Sequence, residues 1–104
     1  MESNFLKMLD RAVEIRNKYS KTDLKQWQIE QVFMGMIKDV GNLSKLLMIN
    51  SGYRNDIQGD VKEKIKHELS DVLFCIFVLS NKLDVNLEKS FWETMDGIEK
   101  KMNK

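Results

Sequence analysis

The chain of 104 residues contains no proline and only five glycines. Proline breaks a helix interior and glycine weakens one, so their scarcity permits long uninterrupted helices. Lys, Glu, Leu and Met, which favour helices, are plentiful. The alternation of apolar and polar residues that marks strands never extends beyond a few positions. The sequence therefore predicts an all-α protein.

Length and charge limit the class of protein further. The chain is of a size to form one domain, over residues 1–104. Its formal net charge is +1, from 17 basic and 16 acidic residues, which argues against a nucleic-acid polymer or a membrane as partner. We expect no signal peptide, and no apolar run reaches the ~20 residues that a membrane span needs. Cys75 is the only cysteine, which excludes an intrachain disulfide. We expect a cytoplasmic protein in which this thiol is a small core residue.

Helical periodicity in the first half of the chain predicts two helices. Apolar residues at helical spacing cover about 4–18 and again about 24–49. The polar segment between them contains Ser20 and Thr22, either of which would suit the N-cap of the second helix. A glycine-containing loop over 50–59 then ends that helix.

Two further helices are predicted after this loop. Asp60, which has an acidic residue three positions later, resembles the start of a capping box, and the helix that it begins runs to about Lys82. Asp84 or Asn86 would cap the last helix, over about 87–102. The inner side of this last helix is expected to carry four large apolar residues: Phe91, Trp92, Met95 and Ile98.

The third predicted helix changes character along its length. Its first half is amphipathic, whereas residues 72–79 are all apolar. A helix that is apolar all round is enclosed on every side, and the other three helices of so short a chain provide too little cover. The sequence therefore predicts a dimer or a larger homo-oligomer.

Two pairs of oxygen-bearing side chains stand three residues apart. Asp39 and Asn42 lie on the second predicted helix, and Glu68 and Asp71 lie on the third. Residues at this spacing project side by side, and two such pairs on facing helices form a cage of oxygen ligands that suits Mg²⁺ or Mn²⁺. Acidic pairs are also common on solvated helix surfaces, so the spacing alone leaves both interpretations open.

Four other residues have a candidate role near this site. Trp27, at the start of the second helix, would either stack on a base or pack in the core. Arg54 and Lys64 would either contact substrate phosphates or belong to a solvated face. His67 is expected to pair with a carboxylate one turn away rather than to bind a ligand.

Two segments carry a resemblance to a known family. Residues 38–43 read Lys-Asp-Val-Gly-Asn-Leu, and residues 68–73 read Glu-Leu-Ser-Asp-Val-Leu. In this order they resemble the Glu-x-x-Glu and Glu-x-x-Asp motifs of the MazG-like nucleoside triphosphate pyrophosphohydrolases. The second motif is complete, and in the first Asp39 and Asn42 stand where the family has two glutamates. The resemblance extends over about residues 5–102.

The resemblance implies a fold, an assembly and a reaction. The fold would be a four-helix MazG-like bundle that oligomerises through long antiparallel helices, as a homodimer or homotetramer. The reaction would be Mg²⁺- or Mn²⁺-dependent hydrolysis of a nucleoside triphosphate to the monophosphate and pyrophosphate, with the substrate held between subunits.

The resemblance also implies roles for individual residues. Glu68 and Asp71 would be catalytic, and with Asp39 and Asn42 they would ligate the metal. The substitution of Asn42 for a glutamate, together with Lys38 beside the site, also supports an alternative. In that alternative the protein is a catalytically inactive helical oligomer that serves as an interaction or nucleotide-sensing module.

Overall fold

The computed structural model of the protein describes residues 3–23, 28–54 and 59–103, and within these ranges it is helical and contains no strand. In chain order the four helices are α1 (Asn4–Asp23), α2 (Ile29–Asn50), α3 (Val61–Lys82) and α4 (Leu87–Met102). The prediction of an all-α protein with four helices is confirmed. None of the helices in these ranges is both long and apolar enough to cross a membrane.

The junction between the first two helices differs from the sequence prediction. Helix α1 continues to Asp23, through the segment that was expected to be a connection. That segment is polar but contains neither glycine nor proline, so nothing in it breaks a helix. Helix α2 begins after Gln28, whose backbone N–H donates to Oε1 of Gln31 at 2.9 Å. The expectation that Ser20 or Thr22 caps α2 was therefore wrong.

The caps of the last two helices follow the sequence closely. The Oδ1 atom of Asp60 accepts hydrogen bonds from two backbone N–H groups of the first turn of α3, at 3.0 and 3.3 Å. Asn86 caps α4, because its Oδ1 accepts from the N–H of Lys89 at 3.2 Å. Asp84 instead adopts a left-handed conformation (φ 55°) in the turn that ends α3. Of the two caps proposed for α4, Asn86 is therefore the one used.

Helices α2 and α3 pack against each other as an antiparallel pair. The shielded positions recur at alternating spacings of three and four residues on both helices, which is the pattern of knobs-into-holes packing. We call these positions the α2–α3 seam: Val32, Met36, Asp39, Leu43 and Leu46 on α2, and Ile65, Glu68, Val72, Cys75 and Leu79 on α3. Two of the ten seam positions are thus occupied by carboxylates.

Helix α1 packs on a different side of α3. The rings of Phe5 and Phe77 meet edge to face with their centroids 5.2 Å apart, and Ala12 is buried. The apolar second half of α3 thus has α2 on one side and α1 on another, so that Phe77 and Val78 are both buried. Packing within the chain already covers much of residues 72–79. This run therefore does not by itself support the predicted oligomer, which needs support from other surfaces.

Helix α4 is the exception to this packing. None of its residues is buried, and its expected inner face, formed by Phe91, Trp92, Met95 and Ile98, is 39 to 63% exposed. The rings of Phe91 and Trp92 contact each other, with centroids 5.4 Å apart. The radius of gyration is 16.7 Å, against about 13 Å for a compact domain of this length. The prediction that this face lies inside the chain was therefore wrong.

The glycine that ends α2 is expected to matter for stability. Gly52 has φ 86°, and the N–H of Tyr53 then reaches the carbonyl of Met48 at 2.9 Å. Because a Cβ disfavours this conformation, Gly52→Ala is expected to lower the free energy of unfolding by about 1 kcal/mol, measured by urea denaturation. Gly41→Ala is the matched control: it lies inside α2 with no atom within 4 Å of the added Cβ, and should raise stability by up to about 1 kcal/mol. If both substitutions change the free energy of unfolding in the same direction, the prediction is wrong.

Candidate metal site

Three carboxylates meet across the α2–α3 seam. Asp39 comes from α2, and Glu68 and Asp71 come from successive turns of α3. One oxygen of each side chain lies within 4.8 Å of one oxygen of each of the others, and all three residues are partly buried. Asp39 and Glu68 are brought together because they occupy seam positions, where facing side chains interdigitate. The structure thus brings together three of the four predicted ligands as one cluster.

The cluster concentrates carboxylate groups in a partly buried part of the seam. Carboxylates this close to one another repel when they are ionised. In addition, Oε2 of Glu68 is buried and has no hydrogen-bond partner among the described residues. A buried carboxylate oxygen without a partner is costly. A divalent cation with a preference for oxygen ligands would relieve both costs, so the residues present fit Mg²⁺ or Mn²⁺.

His67 contacts the cluster from its exposed edge. Its Nε2 lies 3.2 Å from Oδ2 of Asp71, one turn further along α3. This confirms the expectation that His67 pairs with a carboxylate one turn away. The contact involves one oxygen of the Asp71 carboxylate.

A pocket of about 520 Å³ opens beside Glu68, between the second half of α2 and the first half of α3. Its volume is within the range of small-molecule sites. Glu63 in its wall is paired with Lys66 at 2.8 Å. The wall also contains Lys45 and Lys64, whose side chains are of a type that binds phosphate oxygens. The residues that line it are Asn42, Lys45, Leu46, Glu63, Lys64, His67 and Glu68. An anion in this pocket would lie directly beside the carboxylate cluster.

The remaining predicted site residues fall in different places. Asn42 and Lys64 both line the pocket. Arg54 is exposed in the segment after α2 and is not one of the lining residues. Trp27 lies outside the described residues, so its expected role stays a prediction.

Lys45 is a pocket residue that the sequence interpretation missed. It follows Asn42 by three positions, which places it one turn further along the same side of α2. The spacing that singled out Asp39 and Asn42 continues to this lysine and was a signal that could have identified it. The spacing alone did not show where α3 lies, and α3 supplies the opposite wall of the pocket.

The thiol of Cys75 gives a prediction about pH. Burial raises the pKa of Cys75 above its ordinary range, and the negative charges of Asp39 and Asp71 raise it further. Because the unfolded thiol ionises at lower pH, the stability that this group contributes is present below its unfolded pKa and is lost as the pH rises towards the folded pKa. We expect the ultraviolet absorbance of the Cys75 thiolate to appear only at pH values above the ordinary pKa of a cysteine. Added Mg²⁺ should lower the pH at which it appears, and Cys75→Ser should not show it at all. Ionisation at or below the ordinary pKa would contradict the burial.

No known protein family, no curated protein and no solved structure matches this chain. The fold and the site therefore define a class only in structural terms: an all-α protein with a three-carboxylate cluster in the seam of an antiparallel helix pair.

Proposed function

We propose that the protein is a MazG-like pyrophosphohydrolase, which converts a nucleoside triphosphate to the monophosphate and pyrophosphate with Mg²⁺ or Mn²⁺. The observation that supports this proposal is the cluster of Asp39, Glu68 and Asp71, whose oxygens converge within 4.8 Å. The resemblance of the two sequence motifs supplies the reaction class. The active form would be a homo-oligomer, as the resemblance implies.

Each carboxylate of the cluster has a distinct part in this proposal. Asp39, Glu68 and Asp71 would hold the ion, which when bound supplies positive charge against the polyphosphate and acidifies water. Glu68 suits the role of anchor, because its buried Oε2 has no partner among the described residues. Asp71 is more open, with its side chain 41% exposed, and would accept a proton from the attacking water.

The pocket beside the cluster would receive the phosphates. Lys45 and Lys64 would bind their oxygens, and the Asn42 side chain would donate a hydrogen bond that a glutamate at this position cannot make. The three residues line one pocket with Glu68, so phosphates bound there are adjacent to the cluster. This arrangement would orient a polyphosphate along the antiparallel helix pair.

Pyrophosphate release from a panel of canonical and modified nucleoside triphosphates, with Mg²⁺ or Mn²⁺, tests the proposal. We expect turnover of at least one triphosphate that requires the metal and is abolished by EDTA. If no triphosphate is hydrolysed at high protein concentration, and Asn42→Glu does not create activity, the proposal is wrong.

A second candidate function is nucleotide sensing without hydrolysis. It is favoured by one observation: Asn42, which is neutral, lines the pocket together with Lys45 and Lys64. A pocket of this kind can bind phosphates while the metal site is too weak for turnover. Calorimetry that shows tight triphosphate binding, in the same conditions in which no pyrophosphate is released, would favour this function over catalysis.

A further inference from the structure

An apolar stripe on α2 is left uncovered by the rest of the described chain. Phe33, Ile37, Val40 and Leu47 are 44 to 51% exposed. With Ser44 between the last two, these positions stand three or four residues apart, which is the spacing of a helix-packing face. They lie about 100° around α2 from the seam, because successive residues are about 100° apart. We call these four residues the outer stripe of α2.

Helix α4 carries a second uncovered stripe with the same spacing. Phe91, Met95, Ile98 and Met102 stand four, three and four residues apart and are 39 to 77% exposed. Helices α2 and α3 pack together and α1 packs on α3, whereas α4 makes no comparable contact with any of them. We call these residues the α4 stripe.

The outer stripe of α2 borders a groove that could receive a helix. The groove has a volume of about 380 Å³ and is lined by Val40, Leu43, Ser44, Leu47, Met48, Ser51 and Tyr53. Ser44 occupies the stripe position between Val40 and Leu47, so a small side chain is flanked by large ones. This alternation forms the hole that a large residue on a facing helix enters.

The chain itself contains both surfaces that such a contact needs. The two stripes, the groove and Trp92 leave about ten large apolar side chains roughly half exposed in each chain. They amount to an apolar area on the order of 800 Å², which is about what each partner of a stable dimer buries. Within the described chain, nothing covers the apolar face of α4 or the groove on α2. Both surfaces are covered when α4 of each copy packs in the groove of the other.

We propose that a second copy of this chain covers the outer stripe of α2 with its α4 stripe, and that the contact is made twice around a two-fold axis. The proposed function includes a homo-oligomer, and this inference adds which surfaces are in contact; it is argued from those surfaces and stands whether or not the protein hydrolyses a triphosphate. On α2, Ser44 in the groove and Asn42 in the polar pocket point about 160° apart. The exchange therefore leaves the polar pocket beside Glu68 open.

Sedimentation velocity of charge-insertion variants tests the exchange. The wild-type chain is expected to be a dimer, or a larger assembly of dimers, at micromolar concentration. Ile98→Asp and Val40→Asp should each raise the dissociation constant by about 100-fold or more, because each buries an unpaired carboxylate in the contact. Met34→Asp is the matched control, since Met34 is 69% exposed on α2 but lies outside the outer stripe; its assembly should be unchanged. Far-UV circular dichroism of each variant verifies that the helices are retained.

Disulfide trapping identifies the helices in contact. In a Cys75→Ser background, one preparation carries Ser44→Cys and another carries Met95→Cys. We expect a cross-linked heterodimer when the two are mixed and oxidised, and much less cross-linking in either alone. A monomeric wild-type chain overturns the proposal. So does a dimer that withstands Ile98→Asp with its helices intact, or one in which Ser44→Cys cross-links only to itself.

Discussion

Glu68→Gln is expected to lower pyrophosphate release by at least about 100-fold, which corresponds to about 2.7 kcal/mol of transition-state stabilisation. The substitution keeps the size of the side chain and removes its charge. Glu68 occupies a seam position, and its Oε2 is buried without a partner among the described residues. The affinity for Mn²⁺, measured by calorimetry, should fall together with the rate.

Glu63→Gln is the matched control for this experiment. Glu63 lines the same pocket as Glu68, but it is paired with Lys66 at 2.8 Å and is not part of the cluster. Its loss changes the net charge by the same amount, and we expect Mn²⁺ affinity and rate to change by less than about threefold. Equal effects of the two variants would show that general charge, and not ligation, determines the result.

Asn42→Glu is expected to strengthen the site. It adds a fourth carboxylate one turn from Asp39 on α2, and the number of anionic ligands is a main determinant of divalent-cation affinity. We expect Mn²⁺ to bind about tenfold more tightly or better, a gain of about 1.4 kcal/mol, and hydrolysis at low Mg²⁺ to increase. Calorimetry and pyrophosphate release at several Mg²⁺ concentrations measure the two effects separately.

The control for this variant is Asn17→Glu. It makes the same change of residue type and charge on an exposed position of α1, outside the cluster. Its metal affinity is expected to equal that of the wild type. If Asn42→Glu also leaves Mn²⁺ affinity unchanged, Asn42 is a pocket residue only, and the fourth ligand predicted from the sequence is wrong.

The parts of the fold that depend on local chemistry were predictable from the sequence. The cap at Asp60, the end of α3 at Lys82 and the whole of α4 follow from turn formers and side-chain oxygens that act within one turn. The end of α1 was not predictable in this way. Its last residues are polar, and polarity was interpreted as a connection although no residue there breaks a helix.

The candidate site was predictable only in part. The spacing of Asp39, Glu68 and Asp71 identified the carboxylates, and their convergence required only that α2 and α3 pair in one register. The pocket and Lys45 depend on which turns of the two helices face each other, which is a tertiary property. The same reason explains α4: an amphipathic pattern predicts a face that needs cover but does not identify the chain that supplies it.

A crystal structure of the protein with Mn²⁺ and a non-hydrolysable nucleoside triphosphate tests the central claim most directly. Anomalous scattering locates the ion independently of the protein atoms. We expect an Mn²⁺ ion within ligand distance of Asp39, Glu68 and Asp71, with phosphate oxygens beside Lys45 and Lys64. An ion held by the phosphates alone, with the three carboxylates free of metal, would contradict the account.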